Sequence, residues 1–300
     1  MTICRLVTYS RSDVRTTGTY HVRCRGDFVA GSSERRQELA RFLRNRRARI
    51  TPEQVGLPAG ARRRTQGLRR EEVAVLAGLS PTWYTYLEQG RDIHPSPQVL
   101  DSLANVLCLE EDERKYIHQL ALGRTTEVPS DLDDEGRHLV TQVTRITGYG
   151  PFPVYAANQY GEVVAWNKAT VDWYTDFGKQ PEGRRSMLRW MLTAPEARER
   201  IIDWAEDTRD VVARLRAAYA SRAADRRMNQ LVRELERESP EFRLWWNEQH
   251  VREQHVRPRT LDVPGLGTCT FQIAVLRVMD SPFHSIVVHL PIDGAPNSSV

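Results

Sequence analysis

LRREEVAVLAGLSPTWYTYLEQGR, residues Leu68 to Arg91, is the stretch that decides how this chain is built. From about Arg69, Val73, Leu76 and Ala77 recur at helical spacing, and Gly78 follows as a C-terminal stop. Ser80-Pro81 then supplies an N-cap and a proline at the first helical position, and the next helix runs to Gln89 and stops at Gly90. Two short helices joined by Gly78-Leu79-Ser80 make the angular pair whose second member enters a DNA major groove roughly 12 Å wide. On that second helix Trp83, Tyr84 and Leu87 face back into a core, whereas Thr82, Thr85, Tyr86 and Gln89 share the outer face. Glu88 reads as a bonding partner inside the domain, and the helix N-terminus adds a partial positive charge.

Upstream, Leu39, Phe42 and Leu43 place an apolar stripe on an otherwise arginine-covered helix from Glu34 to about Ile50. Thr51-Pro52-Glu53-Gln54 reads as a capping box opening a short turn. Between Arg35 and Arg70 there are twelve arginines against two acids, Glu38 and Glu53, so the local charge is far more basic than the overall +4. Arg62, Arg63 and Arg64 stand on a loop directly before the motif. With Arg69 and Arg70 they form a phosphate-tracking footprint, since a guanidinium forks onto phosphate better than an ammonium does. Downstream, Ser96-Pro97 caps a helix with Val99, Leu103, Val106 and Leu107 inward, and a fifth helix from about Glu110 to Leu122 carries Ile117 and Leu120.

Residues 34–123 thus read as an all-α, five-helix DNA-binding domain, and 124–134, polar, acidic and containing Pro129, as a linker. Residues 1–33 lack hydrophobic periodicity and read as a flexible extension, a segment upstream of the natural start, or a basic arm on DNA. After a helix near Glu135–Thr147, Pro153–Gln159 and Glu162–Trp166 look like strands around Tyr160-Gly161. Helices are expected over Lys168–Phe177, Arg185–Leu192, Pro195–Ala220 and Ala224–Glu238, and from Ser239-Pro240 through His250. Strands Leu266–Val278 and Phe283–Leu290 close a second, α+β domain over 135–293, followed by a tail at 294–300.

Composition narrows the function classes. The chain has 300 residues, 40% hydrophobic and 27% charged, as expected of a soluble protein with two domains. Its four cysteines are far apart and suit a reducing cytoplasm rather than a disulfide framework or a zinc site. There is no bilayer-length apolar run, and no P-loop, GxSxG, HExxH or GxGxxG motif. His250 and His255 beside Glu248 and Glu253 sit at a spacing that places no two ligands on one helix face. The expectation is a non-enzyme without cofactor or metal, whose partner is double-stranded DNA and not a membrane.

The motif resembles the Cro/cI (xenobiotic response element) helix-turn-helix family in Glu72-Val73-Ala74, Gly78-Leu79-Ser80, Leu87-Glu88-Gln89-Gly90-Arg91 and Pro95. That resemblance places Ser80, Pro81, Thr82, Thr85 and Tyr86 toward bases, and Arg70, Gln89 and Arg91 toward phosphates. Arg70 stands where the family commonly has Gln. From Glu34 onward the chain also resembles the MmyB-like regulators of actinomycetes. The resemblance rests on Val55-Gly56-Leu57-Pro58, Gly67-Leu68-Arg69-Arg70, Val164-Ala165-Trp166-Asn167, Asp203-Trp204, Ser239-Pro240-Glu241-Phe242 and Trp246. It implies a helix-turn-helix domain followed by a PAS-like domain that binds a small apolar ligand such as a fatty acid. The aromatics Trp166, Trp173, Tyr174, Phe177, Trp190, Trp204, Phe242, Trp245 and Trp246 are candidate walls for it. Val263-Pro264 stands where relatives tend to carry His-Pro. Two readings of the second domain stay open: a ligand sensor in a homodimeric regulator, or a dimerisation or docking module without a small ligand.

Overall fold

The structure is a computed structural model describing residues 27–58, 67–122, 130–223, 225–252, 257–278 and 281–292. Its N-terminal part is helical: α1 (Asp27–Arg49), α2 (Arg70–Leu76), α3 (Pro81–Glu88), α4 (Pro97–Val106) and α5 (Glu111–Leu122). Leu39, Phe42 and Leu43 of α1 pack with Val73, Tyr84, Leu87, Leu100, Leu103 and Ile117 in one buried cluster. Burying stripes like these supplies most of the stability of α2, α3, α4 and α5, because each of these alone is too short to persist in water. The expected stripe on α4 is displaced by one residue. Leu100, Leu103 and Leu107 are buried, while Val99 and Val106 pack half-buried at the margin.

α1 begins seven residues earlier than the sequence suggests, inside the segment read as an extension. Continuing an existing helix adds one hydrogen bond per residue without a new nucleus. Likewise α6 (Ser130–Thr147) starts within the expected linker. The acidic composition that suggested a linker equally suits the first turn of a helix.

The C-terminal part holds β1 (Val154–Asn158), β2 (Val163–Trp166), α7 (Lys168–Trp173), α8 (Met187–Thr193), α9 (Pro195–Arg200), α10 (Trp204–Ala220), α11 (Arg226–Glu238), α12 (Pro240–Asn247), β3 (Arg259–Val263), β4 (Gly267–Val278) and β5 (Ser281–Pro291). The strands form one antiparallel sheet in the order β2-β1-β5-β4-β3. β1 is buried on both faces. Val154 and Ala156 pack toward α6 with Val140 and Ile286, while Tyr155 and Ala157 share the opposite side with Val163, Phe177 and Val287. The fold is α+β overall, and no helix among the described residues is long and apolar enough to cross a membrane.

Two elements differ from the expected pattern. The helix expected over Pro195–Ala220 breaks between α9 and α10, where Ile201 bridges Leu261 and the Ile202 N–H donates to the Thr260 carbonyl at 3.1 Å. The same contact explains β3, which the sequence does not suggest. Its inward residues are Arg259, Leu261 and Val263, and an arginine at an inward position masks the apolar alternation.

The two parts share a core and a buried ion pair. Arg216 of α10 is wholly buried and pairs with Glu38 of α1, which also accepts the Tyr116 hydroxyl at 2.8 Å. The same guanidinium donates to Gln249 Oε1 at 3.0 Å and to the Trp246 carbonyl, and lies 3.8 Å from the centre of the Trp246 ring. A second tier follows the end of α12. Asn45, Arg46 and Arg49 of α1 donate to the carbonyls of Asn247, Gln249 and Glu248 at 3.3, 3.0 and 2.6 Å, respectively. Carbonyls at a helix C-terminus lack intrahelical partners, and here α1 supplies them.

Removing one partner of such a pair strands the other in a dry site. Arg216→Met should cost about 3–5 kcal/mol in urea unfolding. The double variant Glu38→Leu/Arg216→Met should recover much of that loss; an additive double variant would refute this account of the pair.

Candidate nucleic-acid interface and interior cavity

Glu88 organises the helix-turn-helix. Its side chain is fully shielded and receives Arg47 Nε at 2.6 Å, Arg70 Nε at 2.6 Å and the Tyr84 hydroxyl at 2.9 Å. Arg47 also donates to the Leu68 carbonyl at 2.9 Å, so one carboxylate ties α1, the start of α2 and the end of α3 together. Burial alone would push the Glu88 carboxyl up, but the hydrogen bonds from Arg47 and Arg70 outweigh it and hold it below its ordinary value. Local signals complete the unit. Ser80 Oγ accepts the Trp83 N–H at 3.1 Å, Glu72 accepts the Arg69 N–H at 2.7 Å, and Gly78 turns the chain at φ +71°. A β-carbon is disfavoured in that left-handed conformation.

With α3 fixed from behind, Ser80, Pro81, Thr82 and Gln89 are exposed and Thr85 and Tyr86 half-exposed. Tyr84 and Leu87 are buried, and Trp83 packs half-buried against the same core. The Arg91 guanidinium lies 4.1 Å from the centre of the Tyr86 ring, so these two candidate contacts form one stacked unit. Arg69 is exposed at the mouth of α2. Arg70, expected toward phosphate, gives its Nε to Glu88 while 45% of its side chain stays exposed. Arg62, Arg63 and Arg64 lie outside the described residues. Several arginines counted in the basic stretch have internal partners: Arg46 on Glu113, Arg47 on Glu88, and Arg36 on Asp92 at 3.0 Å.

The second domain holds a partly open cavity of about 160 Å³ between the sheet, α8 and α10. None of Trp166, Trp173, Phe177, Trp190, Trp204, Phe242 and Trp246, the expected walls, lines it. Trp173 and Trp190 stand one layer behind, edge-on to the lining residues Phe271 and Tyr174 at 5.6 and 5.4 Å. Trp166 and Phe177 pair with each other. Trp204 lies between Arg198 and Trp245, and Phe242 stacks on Trp246 in the core shared with α1 and α5. Of the nine aromatics considered, only Tyr174 reaches the cavity.

The lining comes instead from alternate strand positions and one helix face. Ile273 is opposite His289 and Val287 opposite Tyr155 in the sheet register, facing Asp207, Val211 and Arg214 of α10. The period-2 pattern of β5 was the available signal: Val287 and His289 face the cavity, while Ile286 joins the α6 side. The His289 Nδ1 lies 3.0 Å from the Pro153 carbonyl, which can only accept, so Nδ1 carries the hydrogen and Nε2 accepts from the Tyr174 hydroxyl at 2.6 Å. At the polar end Asp210 receives Arg214, Arg259 at 2.9 Å and Arg252 at 3.1 Å, and Asp207 receives Arg257 at 2.6 Å. Burial and the neighbouring Arg259 push the Arg214 guanidinium down to about 10.

A helix-turn-helix whose second helix, α3, keeps an exposed outer face is joined to an α+β domain that holds a partly open cavity. Residues 38–117 match a helix-turn-helix domain family, and residues 141–299 match the MmyB-like transcription regulator ligand binding domain. The second match spans more than half of the chain, and the chain belongs to that family. It is a DNA-binding transcription regulator with a C-terminal ligand-binding domain. A comparison with curated proteins gives no match.

The depressed Glu88 carboxyl fixes a pH dependence. Its stabilising contribution is in place above the ordinary glutamate pKa of about 4.3 and is lost as pH falls through the lower folded value. Glu88→Gln should lower the melting temperature at pH 7 and flatten this part of the acid-side profile; an unchanged acid limb would count against the assignment.

Proposed function

We propose that the chain is a homodimeric, cytoplasmic, sequence-specific regulator whose C-terminal domain senses a small apolar, fatty-acid-like ligand. The observation that carries the DNA reading is the presentation of α3. Its inner face is fixed by Glu88 and Tyr84, and its outer face offers Thr82, Thr85, Tyr86 and Gln89, with Ser80, Pro81, Arg69, Arg70 and Arg91 at the margins. Side-chain donors on that face are few, so affinity comes mainly from the arginines, including Arg62, Arg63 and Arg64, and specificity from α3 and half-site spacing. Two recognition helices about 34 Å apart meet successive major grooves, which is the reason for proposing a dimer.

The cavity favours a sensor over a docking module alone, and α10 supplies the coupling. One face of this helix lines the cavity through Asp207, Val211 and Arg214; another carries Val212, Arg216 and Tyr219 into the core shared with α1 and α5. A ligand that displaces α10 therefore biases the seat of the DNA-binding helices, to the extent that it binds the two arrangements with different affinity.

Gel shifts with the region upstream of the chain's own gene, at two salt concentrations, test the DNA reading. The logarithmic affinity should fall by about 0.9 for each phosphate neutralised, per decade of salt. Alanines at Arg62, Arg63 and Arg64 should weaken binding evenly across sequences, whereas Thr82→Ala or Tyr86→Ala should change sequence preference by about 1–3 kcal/mol at the contacted base pair. Binding to no genomic fragment, or equal effects of both sets of variants on every sequence, would overturn this division.

A further inference from the structure

On the reading that the cavity is the sensing site, the polar groups of its lining narrow the ligand's head group. Met191, Ile201, Leu261, Phe271, Ile273 and Val287 give the cavity an apolar interior. Its charged end is balanced, because Arg214, Arg252, Arg257 and Arg259 meet Asp203, Glu206, Asp207 and Asp210 in one set of ion pairs. A ligand carboxylate would add a negative charge to a set already matched, and burying a charge without a counter-charge is costly.

Most polar groups of the lining are engaged. The Tyr174 hydroxyl donates to His289, whose other ring nitrogen donates to the Pro153 carbonyl. Thr260 pairs with the Thr270 hydroxyl at 3.2 Å, and Arg214 and Arg259 donate to Asp210. Asp207 is the exception. Its Oδ1 receives Arg257 at 2.6 Å, with Arg259 Nε 3.7 Å away, but its Oδ2 has no hydrogen-bond partner among the described residues. The residue is 1% exposed, so solvent does little for that oxygen. Burial pushes the Asp207 carboxyl above its ordinary value against the pull of Arg259 and Arg257, as befits a carboxylate short of donors. The lining also holds a donor. Burial pushes the Tyr155 hydroxyl up to about 12, which keeps it protonated, and it has no hydrogen bond among the described residues.

We infer that the cavity takes a neutral apolar alcohol, whose hydroxyl donates to Asp207 Oδ2 and whose oxygen stays open to lining donors such as Tyr155. A hydroxyl supplies one hydrogen and two lone pairs without bringing a charge. An ionised acid or an ether offers acceptors only and leaves Asp207 Oδ2 stranded, and a stranded buried acceptor costs more than an ordinary hydrogen bond gains. The cavity is partly open, so an alkyl chain on that head group can run outward.

Calorimetry and thermal shift on the full chain test this with 1-octanol, its methyl ether 1-methoxyoctane, and octanoate. Octanol should bind saturably and at least about tenfold more tightly than either of the others. In Asp207→Asn the amide oxygen faces Arg257 and the NH2 stands where Oδ2 was, so the preference for octanol over the ether should fall to about threefold or less. The alcohol–ether comparison on the unaltered chain decides the head group even if that variant does not fold. An ether as tight as the alcohol, or a folded variant with the preference intact, overturns Asp207 as the acceptor. Octanoate binding as tight as octanol overturns the neutral head group but leaves ligand sensing standing. If a co-purified molecule blocks every probe, its own head group decides: an alcohol supports the site and a carboxylate overturns it. If no probe binds and native mass spectrometry shows a clean mass, ligand sensing falls with the inference, while DNA binding is judged separately by gel shift.

Discussion

The pairing of Arg216 with Glu38 is the constraint on which the relation between the two halves depends. A guanidinium and a carboxylate without access to water are held only where every neighbour contributes. Here Tyr116, Gln249, the Trp246 carbonyl and the Trp246 ring do so. Such a cluster tolerates few geometries, because loss of one partner leaves a buried charge or dipole unsatisfied. The carbonyl end of α12, received by Asn45, Arg46 and Arg49 of α1, adds a second polar tier beside it. Polar contacts of this kind fix orientation more strictly than an apolar interface of equal area, because donors and acceptors must align.

The same device recurs on a smaller scale inside the helix-turn-helix. Glu88 gathers Arg47, Arg70 and Tyr84, so the outward direction of α3 is set by a carboxylate on its inner face. The arginine content of this region therefore has two physical destinations. Arg69 and Arg91 stand at the surface, whereas Arg46 and Arg47 pair with carboxylates of the domain interior. Net charge alone does not separate these, since an arginine on a buried glutamate and one on solvent count equally. α10 links both scales, with Arg214 two residues from Arg216 and turned to the cavity instead of the domain boundary.

Much of the architecture was legible because it is encoded over short distances. Caps at Ser80 and Ser96, prolines at the first helical position and stops at Gly78 and Gly90 act within one turn, and they placed α3 and α4 to within a residue or two. Strand β1 and the hairpin β4–β5 were readable from alternating β-branched residues. The break between α9 and α10 was not, since no local stop marks Ile201; its partner Leu261 is sixty residues away. Strand β3 was hidden for the related reason that Arg259 sits inward, which makes sense only once Asp210 lies opposite it.

By itself the sequence determined the two-part organisation, the second helix of the helix-turn-helix and which of its faces is buried, because helix signals and apolar periodicity are properties of neighbouring residues. Only the tertiary structure decided where the cavity lies and what lines it. Aromatic content pointed to the tryptophans, yet packing placed Trp173 and Trp190 behind the wall and Phe242 and Trp246 in the shared core. A cavity is the space that side chains from distant segments fail to fill. Its residues, Tyr155 and Val287 from neighbouring strands and Arg214 from a helix between them in sequence, become neighbours only when the sheet register is set.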